Sequence, residues 1–332
     1  MRLAIVTDAW LPQVNGVVRS LQRVVEVLTA QGDVVTVIAP HLFRTVRCPT
    51  YPEIRLAVTT SARVGALIEA AGADRVHIAT EGPLGLLARR HCLRKGRAFT
   101  TSYHTKFPEY LAARLPVPLG WGYRFMRAFH NAGGGCMVAT PSLEADLAAR
   151  GFRHLMRWSR GVDADMFRPR PDCDLALPRP VFLSVGRVSV EKNLEAFLAL
   201  DLPGTKVVVG DGPARADLEA RYPDARFLGL LEDEALARVY SASDVFVFPS
   251  LTDTFGNVLL EALASGLPVA AYPVTGPKDV LTDPAVGVLD PDLREAALAA
   301  LDLRKEDARA FALGFSWEAS AAAFRANVLA VH

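Results

Sequence analysis

The segment from Phe248 to Val269 carries two carboxylates, Asp253 and Glu261, eight residues apart around Phe255-Gly256-Asn257-Val258. It reads as strand, polar loop, helix, turn, strand. A helix that opens at Gly256–Val258 leaves its first amides unpaired, and such amides suit a diphosphate. Asp253 lies just ahead of that helix. Glu261 lies about one turn in, and because helical side chains lean toward the N-terminus it can face the same place. Carboxylates flanking a phosphate site can accept hydrogen bonds from sugar hydroxyls. An N-capping Asp followed by a Glu on the helix dipole explains the spacing equally well.

Two further loops have chemical potential. In Ser184–Asn193, Arg187 and Lys192 lie five residues apart just after an apolar run. The Arg fork can grip two phosphate oxygens and the Lys adds a point charge. The competing reading is a pair of solvated surface cations. Asn15-Gly16 opens the first helix, where Gly allows close backbone approach and the amides attract an anion; an ordinary tight turn is the alternative. No Gly-x-Gly-x-x-Gly follows a strand, since Gly133–Gly135 precedes one, which argues against a dinucleotide cofactor. Among seven histidines, His104 is the best catalytic candidate because it follows an apolar strand; taken alone it reads as a structural residue.

These loops need elements that hold them. Leu3–Val6, Val34–Ile38, Arg75–Ile78, Phe99–Tyr103 and Cys136–Thr140 are short apolar runs with helical stretches between them, the first running from Val17 to about Ala30. After the proline-rich stretch 169–180 the pattern restarts at Val181–Val185, Val207–Val209, Arg226–Leu228, Val245–Phe248 and Val269–Ala271. Continuous apolar strands alternating with helices indicate parallel sheets covered on both faces. The expectation is an α/β chain of two Rossmann-like domains facing across a crevice. Their bounds are 1–168 and 181–314, with 169–180 as linker and a last helix in 315–332 packing back on the first domain. Ligands of such sheets bind beyond the C-terminal strand ends, where all the residues above lie.

With 51% hydrophobic and 22% charged residues the chain is neither disordered nor low-complexity. Cys48, Cys92, Cys136 and Cys173 are far apart, so buried reduced thiols fit better than disulfides or a zinc ribbon. No apolar run reaches a membrane-spanning length and the first ten residues lack signal-peptide character, so a cytoplasmic setting is expected. The net charge of +1 conceals a split: residues 1–168 hold 22 basic and 12 acidic residues, leaving 15 and 24 for the remainder. A basic half points to an anionic partner, or to mutual attraction between the halves.

The motifs taken together resemble the family-four retaining glycosyltransferases of the GT-B fold, whose signature is an acid, seven residues, then Glu. Here Asp253 replaces the commoner Glu and shortens the reach by one methylene. PQVNGVVRS at 12–20, HIATEGPLG at 77–85, SYHTKFPEY at 102–110, RGVDADMF at 160–167, GRVSVEKN at 186–193, GDGP at 210–213 and SASDVFVFPS at 241–250 all fall in family order. The set is most similar to the branch of GDP-mannose-dependent α-mannosyltransferases and sulfoquinovosyl-type lipid glycosyltransferases. The resemblance implies transfer of a hexose from GDP-mannose or a UDP-hexose. Arg187, Lys192 and the amides near Gly16, Asn257 and Val258 would hold the diphosphate, and Glu261 the ribose diol. Asp253 and the Phe255-Gly256 amides would hold the donor sugar, with His104 beside the anomeric carbon. Asp163-Ala164-Asp165 matches a metal-binding pattern but lies where the family approaches its linker, so it is read as structural. No metal or cofactor is expected, because cations and helix amides can supply the positive field. No evident nucleophile stands out, which suits front-face transfer with the leaving phosphate taking the acceptor's proton. A non-catalytic nucleotide-sugar binder is the alternative.

The segment 88–97 packs five cations, and Leu111, Leu115, Leu119, Trp121 and Phe125 follow in a Pro/Gly-broken stretch. Charge plus interfacial apolar side chains suits an anionic membrane surface. The expected partners are therefore a nucleotide-sugar donor and a lipid acceptor, with no nucleic acid, for an enzyme peripheral on the cytoplasmic face. Core apolar residues under a solvated basic helix, with a soluble or polysaccharide acceptor, are the alternative.

Overall fold

The computed structural model of the protein describes residues 1–13, 15–48, 51–112 and 118–331, apart from the side chains of 51–53, 111 and 112. The expected residues Leu115 and the side chain of Leu111 lie outside the described residues. The chain divides into two compact units, one of Met1–Arg160 with the segment from Trp317 onward, the other of Gly161–Ser316.

In the first unit the strands are β1 (Arg2–Val6), β2 (Val34–Ile38), β3 (Arg44–Cys48), β4 (Tyr51–Val58), β5 (Arg75–Ile78), β6 (Thr100–Ser102), β7 (Gly135–Val138) and β8 (Leu155–Arg157). Among the described residues six of them form one parallel sheet in the order β2-β1-β5-β6-β7-β8. β3 and β4 form a separate antiparallel pair. The central strand shows why a continuous apolar run was legible: Leu3 and Ile5 join one core, Ala4 and Val6 the other. On the first face pack Leu21, Val24 and Leu28 of helix Gly16–Ala30 and Ala321, Phe324 and Val328 of helix Trp317–Leu329. On the second pack Val64 and Ile68 of helix Ser61–Ala70 with Leu84, Ala88 and Cys92 of helix Pro83–Lys95. Burial raises the Cys92 thiol to about 11, so it sits there as a neutral apolar group.

The second unit holds β9 (Val181–Val185), β10 (Thr205–Val209), β11 (Arg226–Gly229), β12 (Val245–Phe248), β13 (Val269–Ala271) and β14 (Gly287–Leu289). They form a parallel sheet in the order β11-β10-β9-β12-β13-β14. Counted along this unit that is the 3-2-1-4-5-6 dinucleotide-fold order. The strand order reverses between β9 and β12 here and between β1 and β5 in the first unit. Those reversals are where such sheets open a ligand-binding crevice at their C-terminal edge.

The two compact units part a few residues before the expected domain bound. The first unit ends at Arg160 rather than at 168, and the second begins at Gly161. Residues 161–168 are tied to the second unit by Arg309, whose guanidinium donates to the carbonyls of Ala164, Phe167 and Ala264. The proline-rich stretch 169–180 is likewise fastened there and not a free linker. The Arg170 amide donates to Ser241, its guanidinium pairs with Glu234 at 2.8 Å, and Arg179 pairs with Asp244 at 2.5 Å. Proline density shaped an extended path, and the arginines anchor it. No helix among the described residues is long and apolar enough to cross a membrane.

Candidate active site

In the second unit, two loops at the strand-order reversal are bolted together. Lys192 Nζ donates to Asp253 Oδ1 at 2.5 Å. Asn193 Nδ2 donates to the Pro249 carbonyl at 3.1 Å, and Thr252 Oγ1 to the Glu191 carbonyl at 3.4 Å. The turn that delivers Lys192 is a single 3-10 turn, Val190–Lys192, closed by Asn193 in the left-handed region at φ 52°. Gly210 lets β10 approach the same loop, because a Cβ there would stand 1.9 Å from the Gly186 carbonyl oxygen. Arg187 is half-buried at the start of this loop.

Helix Asn257–Ala264 follows the second loop, with Gly256 as its N-cap at φ 90°. A side chain at Gly256 would be strained by that φ and would press on Phe248 and Leu259 at 3.2 and 3.1 Å. Gly256 therefore offers no side chain to the first amides of the helix, Asn257 and Val258 among them. Phe255 is buried beneath the loop. Glu261 is buried too, and its Oε2 accepts from the Tyr240 hydroxyl at 3.0 Å. Tyr240 is itself fully enclosed, edge-on to Phe167. Sequence reasoning missed this partner, which comes from another helix.

Among the described residues, three buried polar atoms of these two loops, Ser189 Oγ, Ser250 Oγ and Asp253 Oδ2, have no hydrogen-bond partner within the protein. Buried polar groups in folded proteins are almost always satisfied, by protein, water or ligand, so these atoms can take a partner from outside the chain.

In the first unit, Asn15 Oδ1 accepts from the amides of Val17 and Val18, both at 3.0 Å. The side chain thus takes two of the amides that the sequence offered to an anion, and Asn15 acts here as the helix cap with Gly16 as the first helical residue. Asp8 closes the same strand edge. Its carboxylate accepts from Thr80 Oγ1 at 2.9 Å and from the amides of Leu84 and Gly85 at 2.9 and 3.3 Å. Burial raises its carboxyl above the ordinary value against those hydrogen bonds. Asp163 Oδ1 accepts from the Met166 amide at 3.0 Å, a turn-forming contact.

His104 follows β6 and its imidazole is enclosed: Trp158 meets it edge-on at 5.6 Å, and Arg160 Nη2 lies 3.1 Å from Nδ1. Arg160 is 6% exposed and stacks over the Trp158 ring at 4.0 Å while donating to the Trp158 carbonyl at 2.9 Å. Trp158 in turn donates through Nε1 to Ser320 of the last helix at 3.1 Å. Burial, then the nearby Arg160 charge, hold the His104 imidazolium well below its ordinary value, so the ring is neutral. Two more buried histidines lie behind it. His77 bridges Thr100 and Ser102 and is held down at about 3, mainly by burial. His130 bridges Thr101 and Glu81 and is raised to about 10: burial opposes its charge, and Cys136 and the Glu81 carboxylate outweigh burial. Arg160 was invisible as a site residue because β8, the strand it follows, is a part-exposed edge strand that was not read.

Residues 14–166 match the family model described as Glycosyltransferase Family 4, and residues 179–305 match that described as Glycosyl transferases group 1. A GDP-mannose-dependent alpha-mannosyltransferase of Mycobacterium tuberculosis is 32% identical over 88% of this chain and 84% of its own. The chain belongs to the family-four glycosyltransferases. An alpha-monoglucosyldiacylglycerol synthase of Streptococcus pneumoniae is 26% identical over 91% of the chain and 78% of its own. The sucrose-phosphate synthase of Thermosynechococcus elongatus shares the fold at a TM-score of 0.79, with 22% identity over 97% of each chain. The protein is thus a glycosyltransferase of the GT-B type with two Rossmann-like domains, working from a nucleotide sugar. In this glycosyltransferase Arg187, Lys192, Asp253, Phe255, Gly256, Asn257, Val258 and Glu261 belong to the second unit. Asn15, Gly16 and His104 belong to the first.

Proposed function

We propose that the protein transfers a hexose from GDP-mannose or a UDP-hexose to a membrane lipid with retention of anomeric configuration and without a metal. The observation that carries the donor half is the cluster of Ser189 Oγ, Ser250 Oγ and Asp253 Oδ2, buried acceptors beside Lys192 and ahead of the uncapped helix at Gly256. A sugar diphosphate can offer hydroxyls to Asp253 and anionic oxygens to Arg187, Lys192 and the helix amides. Those positive groups are fixed before the reaction, so they stabilise the departing diphosphate without reorganising. The leaving phosphate oxygen then accepts the acceptor's proton. Glu261, buried and oriented by Tyr240, is the acceptor for the ribose diol. Thermal melts with UDP, GDP, ADP and their sugars test this half. The expected result is a rise with one nucleotide and its sugars, and a ligand at a hundred times its dissociation constant adds roughly 2.7 kcal/mol.

The acceptor half rests on the exposed face of helix Leu119–His130. Trp121, Arg124, Phe125 and Ala128 lie at helical spacing on that face, with Trp121 73% exposed. Arg89 of the basic helix Pro83–Lys95 donates to the carbonyls of Ala128 and Phe129 at 2.9 and 3.2 Å, which joins the two helices. Arg90, Arg94 and Lys95 are exposed beside it. Arg89 and Arg97 are occupied within the fold, Arg97 against Glu69. A named relative, the monoglucosyldiacylglycerol synthase, acts by its name on a diacylglycerol lipid. Sedimentation with phosphatidylglycerol vesicles is the test, with binding strong at low salt and lost near 0.5 M, because exposed charges are screened within about 10 Å at 0.1 M. Arg90→Glu, Arg94→Glu and Lys95→Glu together should abolish it and leave nucleotide binding intact. A native protein that stays in the supernatant at low salt removes the lipid reading in favour of a soluble acceptor.

A further inference from the structure

We propose that Arg160 is the positioning residue of the reacting centre: it locks His104 as the neutral Nε2–H tautomer, so that His104 presents a hydrogen-bond donor to the substrate and does not act as a base. The inference rests on the reading above that His104 lies at the reacting centre. Its physical core is independent of that reading. A guanidinium has five N–H donors and no acceptor. An Arg160 Nη2 that lies 3.1 Å from His104 Nδ1 can only donate to it. Nδ1 is therefore an acceptor, and the single ring proton of a neutral imidazole must sit on Nε2.

The arrangement is built, not incidental. Among the described residues Arg160 is a nearly enclosed cation held by the Trp158 carbonyl, the Trp158 ring and His104, with no carboxylate paired to it. Cation–π stacking and hydrogen bonds stabilise a charge that burial otherwise penalises, and burial lowers Arg160 to about 9, still protonated at neutral pH. Trp158 is held by Ser320 and packs on Phe324, both in helix Trp317–Leu329. The C-terminal segment thus supports the tautomer through two side chains. Among the described residues the charged or titratable groups that act on His104 are Arg160 after β8, His77 on β5 and His130 on helix Leu119–His130. A donor at Nε2 can polarise a sugar hydroxyl or the departing oxygen. It leaves the acceptor's proton to the leaving phosphate.

The test is nitrogen-15 NMR of the histidine rings in the full-length protein, with His104 assigned by the signals lost in His104→Ala. The expected spectrum shows a neutral His104 protonated at Nε2. Arg160→Met should move the proton toward Nδ1 or give mixed tautomers, and Arg160→Lys, which keeps a charged donor, should restore the native state. In transfer assays Arg160→Met should lower kcat roughly a hundredfold with little change in donor KM, the scale of losing one oriented donor. Thermal melts of each variant separate this from unfolding. A native ring protonated at Nδ1, or a tautomer unchanged in Arg160→Met, overturns the proposal outright. Normal transfer by His104→Ala, with the tautomers as expected, refutes the place of His104 in the reaction and with it the functional part of the proposal.

Discussion

Lys192 and Asp253 form the pair on which the proposed donor site turns, and a double-mutant cycle measures it. Their contact is 2.5 Å, and their side chains are 26% and 15% exposed. A fully exposed pair contributes about 0.2–1 kcal/mol, whereas breaking a buried one costs about 3–5 kcal/mol. This pair lies between those limits, so its coupling should be about 1–2 kcal/mol. Lys192→Ala leaves a mostly buried carboxylate whose Oδ2 already lacks a partner, so it should be the more damaging single change. At about 2–4 °C per kcal/mol for a unit of this size, it should lower the melting temperature by several degrees. Asp253→Asn in the same background should restore part of that loss. The assay is thermal or urea melting of the four proteins without nucleotide, followed by nucleotide titrations. Strict additivity, within about 0.3–0.5 kcal/mol, would falsify the pairing.

Further expectations follow from the same geometry. Arg187→Ala and Lys192→Ala should each lower turnover about ten- to a thousandfold, as for loss of one preorganised charge, and near-normal steady-state rates in both would remove them from the site. Tyr240→Phe should destabilise the protein by roughly 1–3 kcal/mol through the lost hydrogen bond to Glu261 and weaken nucleotide binding, checked by melting and calorimetry; unchanged values for both would show that the hydroxyl is idle. Stability should peak near pH 6.5 in urea melts run from pH 4 to 10. Below that, His77, depressed to about 3, and His104 stay neutral while their unfolded counterparts take up protons, so stability falls as pH falls. Above it, His130, raised to about 10, retains a proton that the unfolded chain has lost, so that stabilisation declines toward pH 10. Each group contributes about 1 kcal/mol per pH unit, so the acid limb should be the steeper, and a flat profile would contradict this assignment.

The parallel sheets were legible because their strands are buried on both faces and therefore apolar throughout, as Leu3–Val6 and Val245–Phe248 show. β3 and β4 were missed because an antiparallel pair rich in Arg44, Arg47 and Arg55 carries no such run. β8 and β14 were missed because they are short edge strands, only part-buried, with Arg157 and Gly287 cutting short their apolar runs, unlike the fully buried β13. The loops after β9 and β12 could be read because rule and residue type coincide there: cations, carboxylates and a glycine just past strand ends. What could not be read is long-range. The Tyr240–Glu261 bond joins residues from different helices, and Arg309 fixes the domain boundary from about 140 residues away in sequence. Arg160 opens the segment RGVDADMF but was given no role, because nothing local reveals that a tryptophan and a histidine enclose it.

Product analysis tests the central claim most directly. The native protein is given each nucleotide hexose in turn with diacylglycerol vesicles, with release of nucleotide diphosphate and the anomeric configuration of the glycolipid both followed. One donor class should release diphosphate in step with an α-linked lipid product, and Lys192→Ala and Arg187→Ala should suppress both. Donor binding without release for any lipid or soluble acceptor, or an inverted product, would contradict that claim.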